Sequence, residues 1–292
     1  MSIVKSFSVG DGDMFYIKHG NDNFTSIDCC MSNENISAIV SELQSESRNK
    51  GIRRFISTHP DDDHFRGFAY LNRKMPIVNF YCVENEATKP DETDDFEEYC
   101  ALRDDCEKAF ALLRGCTRKW LNQDSEERGG SGIHILWPIT TNEHYKEALK
   151  KAKEGKSFNN ISAIVEYSLS GGATILWMGD LESEFMESIK NEIKMDAADI
   201  LFAPHHGRDK VPEDWLDEMD PGLVIIGEAP SKYLDYYAGY DTITQNSAGD
   251  IVLECVSGKT HIYVSNESYD VDFLDNEYRF DTYGKYIGTL NI

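Results

Sequence analysis

Apolar and polar positions alternate from the first residues of the chain. Residues 3–9 read as a strand, Gly10 to Asp13 as a turn, and 14–18 as a second strand. A turn through Gly20 leads to a third strand, 24–27, that runs into Asp28. The period then changes. Ile36, Ile39, Val40 and Leu43 are spaced by threes and fours, one apolar face of a helix over about 35–49 that Gly51 ends. Residues 52–57 form a short strand that delivers the chain to Thr58-His59-Pro60-Asp61-Asp62-Asp63-His64. A short helix near 68–72 and a strand at 77–83 come next.

Residues 84–130 are highly charged, and 84–156 reads as an insertion or cap on a single domain spanning 1–292. Within it the spacing of Phe96, Tyr99, Cys106, Phe110 and Leu113 predicts one helix over 94–114. A Gly-Gly-Ser-Gly stretch leads into a strand at 133–137, and 143–156 reads as a Lys-rich helix or a mobile lobe. Two strands, 162–169 and 173–178, meet at the Gly171–Gly172 turn. Leu181, Phe185, Ile189 and Ile193 predict a helix over 181–194. Strands at 200–203 and 223–226 flank a helix at 213–218, and 251–256 pairs with 260–264 as a hairpin. No internal repeat interrupts this alternation. The fold class is α/β, with two sheets packed face to face between helices.

Charge alters the picture more than any other bulk property. The chain has 29 Lys and Arg against 52 Asp and Glu, a formal net charge of −23. Passive binding to duplex DNA depends on cations that neutralise phosphates, so this balance argues against it. It favours a small-molecule or nucleotide substrate, with a locally gripped single-stranded nucleic acid still admitted. No stretch approaches the roughly 20 apolar residues of a membrane span. The N-terminus lacks the cationic start and apolar run of a secretory signal, and the expected location is cytoplasmic. Seven cysteines without a CxxC pair read as reduced thiols packed as small hydrophobes.

Three loops that follow apolar strands carry the candidate chemistry. The 59–64 loop holds two imidazoles and three carboxylates, a mixture that divalent metals take and that is costly to assemble without a cation. By itself it also reads as a solvated acidic turn. Trp177-Met178-Gly179-Asp180 sets one carboxylate after a strand, where an ordinary Gly-Asp turn is the plain alternative. Pro204-His205-His206-Gly207 places two imidazoles after another strand, or a hydrogen-bonded pair near a turn. It is the three together, in this order, that point to a metal site.

That order resembles the metallo-β-lactamase superfamily, whose signature is His-x-His-x-Asp-His. The 59–64 run has Asp61 where the second His usually stands, and this His-Pro-Asp-x-Asp-His version is similar to the hydrolase domain of the DNA-uptake competence proteins (ComEC). Val9-Gly10-Asp11-Gly12-Asp13, Ile27-Asp28, Asn159-Asn160-Ile161-Ser162, Met178-Gly179-Asp180, Ala203-Pro204-His205-His206-Gly207 and the 244–251 segment resemble further motifs of that branch. The resemblance runs from about residue 3 to 264 and leaves out 84–156. It implies an αββα sandwich with a helical, charged insertion and one or two divalent ions, Zn or Mn. By position His59 and Asp61 serve a first ion, Asp63 and His64 a second, and Asp180 bridges them. One of His205 and His206 completes the second site, with His205, nearer the strand, favoured. The histidine expected between the second and fourth motifs is missing: His134 and His144 have no supporting context. Asp61, with Asn160, hardens the first site toward oxygen ligands and toward manganese or magnesium.

The implied activity is hydrolysis by metal-activated water, with Asp63 and Asp180 as catalytic groups and a phosphodiesterase or nuclease as the favoured class. Another ester or lactone hydrolase, or a catalytically weak, metal-stabilised interaction module, are the alternatives. Asn160, Arg208 and Lys210 are the candidate substrate contacts, although for Arg208 and Lys210, as for Arg66, solvated surface charge is the plainer reading. A protein partner through the insertion is admitted, although a plain extra core element is the plainer reading of its helix. Tyr233, Tyr236, Tyr237 and Tyr240 read as packing of a C-terminal lobe.

Overall fold

Strand order decides where the loops meet. The computed structural model describes residues 1–292. Its strands are β1 (Ser2–Ser6), β2 (Phe15–Lys18), β3 (Asn23–Ile27), β4 (Cys29–Cys30), β5 (Ile52–Ser57), β6 (Phe80–Val83), β7 (Ala109–Leu112) and β8 (Ile133–Trp137). They continue as β9 (Ile164–Ser168), β10 (Thr174–Trp177), β11 (Ile200–Phe202), β12 (Leu223–Ile226), β13 (Thr242–Thr244), β14 (Ile251–Val256), β15 (Lys259–Val264) and β16 (Lys285–Asn291). A nine-stranded sheet runs β16-β15-β14-β1-β2-β3-β5-β6-β7, and a six-stranded sheet runs β13-β12-β11-β10-β9-β8. In the first, β3, β5, β6 and β7 are parallel; in the second, β10 to β13 are.

Parallel strands are buried on both faces, which is why these segments read as apolar runs. Neighbouring residues divide between the faces: Phe55 and Phe80 pack in an apolar cluster with Val40, Leu43 and Phe68 of the helices Ile36–Glu46 and Phe68–Lys74. Ile56 and Tyr81 pack in the main core with the second sheet. On the second sheet's far side, Trp137 meets Tyr145 of the helix Glu143–Lys153, ring centroids 5.6 Å apart, and Phe185 of the helix Ser183–Ile189 at 6.0 Å. Helices thus flank both sheets in αββα layering. Between the sheets Phe15, Trp177 and Phe202 form an aromatic floor, with centroids 4.9 to 6.0 Å apart. Each lies two or three residues from Asp13, Asp180 or His205.

The helix predicted over 94–114 is corrected. It spans Asp94–Arg103, and the rest becomes strand β7 at the edge of the first sheet. Asp105 accepts the backbone N–H groups of Glu107 and Lys108 at 3.0 and 3.3 Å, an Asx-type turn that breaks the helix. Strand β6 then pairs with Ala109–Leu112, so sheet extension overrides the helical spacing of Phe110. The helix expected over 181–194 forms only at Ser183–Ile189. The 143–156 segment folds as a helix, its first turn capped by Asn142, which accepts the Tyr145 N–H at 3.0 Å. Strands β13 and β16 were not foreseen. All seven cysteines are free thiols, and no helix is long and apolar enough to cross a membrane.

The aromatic floor supports both the core and the loops above it. Phe15→Ala is expected to cost about 3–5 kcal/mol of stability, read from urea unfolding monitored by tryptophan fluorescence.

Candidate metal centre

The carboxyl ends of β3, β5, β10 and β11 meet at one edge of the sandwich, the usual address of a ligand site in open parallel sheets. Backbone bonds lock the loops together. The Ala163 N–H donates to the Thr58 carbonyl (3.0 Å), His205 N–H to the Gly179 carbonyl (2.9 Å) and Asp13 N–H to the Asp63 carbonyl (3.2 Å). Gly179 has φ +51°, and a Cβ there would stand 2.7 Å from Ser162 Oγ. Only glycine lets β10 turn so tightly into Asp180. The Ser162 hydroxyl in turn accepts the Asp180 N–H at 3.0 Å.

Around Asp180 the histidines share one arrangement: Nδ1 held, Nε2 facing inward. His64 Nδ1 pairs with Asp28 Oδ2 at 2.9 Å, and His206 Nδ1 with Asp13 Oδ1 at 3.0 Å. His205 Nδ1 pairs with Asp209 Oδ2 at 2.6 Å. His59 Nδ1 lies 3.1 Å from Thr58 Oγ1, whose own proton goes to Asp28 Oδ2 at 2.6 Å. The Thr58 hydroxyl is therefore an acceptor toward His59, which fixes the Nδ1–H tautomer and leaves an Nε2 lone pair. The inner ends converge on one carboxylate. From Asp180, the Nε2 atoms stand at 3.0 Å (His64), 3.5 Å (His206), 3.7 Å (His205) and 3.9 Å (His59).

The chemistry of this donor set fits a divalent cation. The Nε2 atoms of His59, His64 and His206 and Oδ1 of Asp180 are buried without a hydrogen-bond partner, the 3.0 Å His64–Asp180 approach being off line. Orphaned buried polar atoms are costly, and four aimed at one point mark a place where something binds. Asp13, His64, Asp180 and His206 each offer a donor atom within 4.8 Å of the others. Carboxylates on the outer nitrogens complete the arrangement by which metal-bound imidazoles are oriented.

Without an ion the cluster balances its charge with protons. Burial lowers the pKa of His64, but Asp180 and Asp28 outweigh it and hold the imidazole well above its ordinary value. Burial likewise opposes protonation of His206, and Asp13 and Asp180 overcome it, raising its pKa to about 10. Desolvation pushes Asp180 up, yet His64 and His206 bring it well below the usual carboxylate range. His59 differs: burial and the neighbouring His64 lower it to about 3, keeping it neutral. An incoming cation must displace the protons on His64 and His206.

The expected residues do not all meet. His59, His64, Asp180, His205 and His206 surround one point, and Asp63 Oδ2 stands 3.4 Å from His206 Nε2. Of the histidine pair, His206 belongs to the compact set, whereas His205 is partly exposed. Asp61 lies off the cluster: it caps the turn Asp62–Phe65 by accepting the Asp62 N–H at 2.8 Å and pairs with Lys89 at 2.9 Å. Asn160 is tied to Glu182, its amide donating to the carboxylate at 2.6 Å and its oxygen accepting the backbone N–H at 3.1 Å. Arg208 pairs with Asp11, and Lys210 is exposed. His134 and His144 are exposed and outside the cluster.

Asp13, Asp28, Asp209 and Thr58 received no role from the sequence. Asp209 had a readable signal, a carboxylate four residues after His205. Asp13 and Asp28 sat within motifs but seemed only to end a turn and a strand.

No protein-family model and no curated protein matches the chain. Among solved structures it is similar to Igni18, a novel metallo hydrolase from the hyperthermophilic archaeon Ignicoccus hospitalis. The two are 13% identical over 86% of this chain and 99% of that one, with a TM-score of 0.45. It is also similar to a metallo-beta-lactamase, SMB-1, solved with mercaptoacetic acid, at 11% identity over 70% and 81% of the chains and a TM-score of 0.41.

Asp28 holds both His64 and Thr58, and Asp28→Asn is expected to weaken Zn or Mn binding about 10–100-fold, measured by titration calorimetry. Because ion and protons compete for His64 and His206, affinity in the wild type should fall as pH is lowered; titrations from pH 8 to 6 in buffers of matched ionic strength check the sign.

Proposed function

We propose that the chain is a metal-dependent hydrolase of the metallo-β-lactamase type, with phosphodiesters as its favoured substrates. The observation that carries this reading is the set of inward Nε2 atoms of His59, His64 and His206, buried and unpartnered around Asp180. His64, His206 and Asp180 would hold the ion, Zn or Mn, with Asp13 beside them. A bound divalent cation supplies acidified water and neutralises charge that develops on substrate oxygens. Asp63, half-buried and 3.4 Å from His206 Nε2, would accept a proton from an attacking water and orient it. Asp28, Asp209 and Thr58 hold the imidazoles by Nδ1, so that only Nε2 faces the reaction.

Lys210, four residues after His206, is exposed and forms no ion pair with a carboxylate, and it would meet an anionic substrate. Arg208 is engaged by Asp11 and Asn160 by Glu182, so neither is free to do so without first giving up that contact. The net charge of −23 supports a small or nucleotide-sized substrate over duplex nucleic acid.

Purified protein loaded with manganese or zinc is expected to hydrolyse bis-p-nitrophenyl phosphate, to lose activity on chelation and to regain it with the ion. Asp180→Ala should reduce turnover to background. Turnover of lactones with none of the phosphodiester would move the assignment to the alternative ester class, and a folded, ion-loaded protein inert to both would leave the interaction module.

A further inference from the structure

Lys89 lies in the charged segment after β6, yet its side chain is only 8% exposed. Its ammonium bonds Asp61 Oδ1 at 2.9 Å and Asp62 Oδ1 at 2.8 Å. It also stands 5.0 Å from the ring centroid of Phe65, 4.7 Å from Phe158 and 5.9 Å from Phe96. Three rings from separate segments therefore hold the cation, and two carboxylates on the loop entering the metal cluster neutralise it. A surface lysine held this firmly is not a solvated charge.

The position of Asp61 gives the contact its consequence. Against Asp180 Oδ2 stand His59 Nε2 at 3.9 Å and His205 Nε2 at 3.7 Å, and neither His59 nor the partly exposed His205 joins the compact set of Asp13, His64, Asp180 and His206. Three protein ligands are the usual minimum for a catalytic zinc. Asn160 is tied to Glu182, and His134 and His144 are exposed and apart. With His205 anchored by Asp209, partly exposed and outside the compact set, Asp61 is the carboxylate left to complete a second set, and its Oδ1 already accepts Lys89 and the Asp62 N–H. A bonded ammonium holds the carboxylate by Oδ1 and repels a second divalent cation.

We infer that Lys89 is a latch that keeps Asp61 out of the metal cluster and so limits the chain to one ion, held by His64, Asp180 and His206. The inference rests on the metal-hydrolase reading above and deepens it. Lys89 acts through Asp61 and is a positioning residue, not a catalytic one.

Metal content after loading with excess Mn or Zn and desalting, together with calorimetric stoichiometry, tests the latch independently of activity. The wild type should retain one ion per chain. Lys89→Met keeps the apolar stem over the rings and removes the charge; it should gain a second binding step, which adding Asp61→Asn abolishes. Asp61→Asn alone should leave the single ion in place, and this arm stands even if Lys89→Met fails to fold. Two tightly held ions in the wild type, a Lys89→Met protein that folds and still takes one, or loss of the ion in Asp61→Asn would each overturn the latch while leaving the hydrolase reading intact. A folded wild type that takes up no ion would overturn both.

Discussion

Each imidazole at the cluster is held by its Nδ1, and the rest of the site follows from that constraint. Asp28 is the centre of it: one oxygen accepts the Thr58 N–H at 2.7 Å, and the other takes the Thr58 hydroxyl at 2.6 Å and His64 Nδ1 at 2.9 Å. One fully buried carboxylate at the end of β3 thus sets the orientation of His64 directly and the tautomer of His59 through Thr58. Desolvation raises the Asp28 pKa, while the His64 charge and the Thr58 donors oppose it. The partners that position the histidines are also what make the carboxylate tolerable in the core.

The backbone accommodates this arrangement by local strain. Asp28, His205 and His206 have φ of 53°, 52° and 56°, a region that residues other than glycine seldom enter. Such conformations cost of order 1–3 kcal/mol each and persist only where the surroundings over-determine them. Here they do. The Phe15–Trp177–Phe202 floor lies beneath the loops, the His205 N–H is bonded to Gly179, and the Tyr237 hydroxyl donates to the Asp209 carbonyl at 2.9 Å. The aromatic run at 233–240 thereby acquires a definite use: its buried member braces the segment that holds His205.

Most of the central strands were legible in the sequence because parallel, doubly buried segments such as 223–226 are short apolar runs bounded by turn residues. The 94–114 segment was not, since Phe110 and Leu113 continue a helical spacing that the Asp105 turn interrupts and that β6 then recruits by pairing. Strand β16 lacks a strong alternation and depends on its partner β15. At the site, the strand-end loops bearing His59, Asp180 and His206 were visible as clusters of metal-ligand types. The supporting carboxylates were not, because their meaning is purely spatial: Asp13 is 193 residues from His206, and Asp28 is 36 from His64. Asp61 is the opposite case. Its motif position suggests a ligand, while its contact in the structure is with Lys89, a residue with no motif.

X-ray absorption at the metal edge of the zinc-loaded protein reads the donor set itself. A shell of nitrogen and oxygen at about 2.0–2.1 Å is expected, with outer-shell scattering from two imidazoles and no sulfur, although Cys30 lies against the Asp63 loop. A spectrum without imidazole scattering, or one with a sulfur ligand at about 2.3 Å, would contradict it.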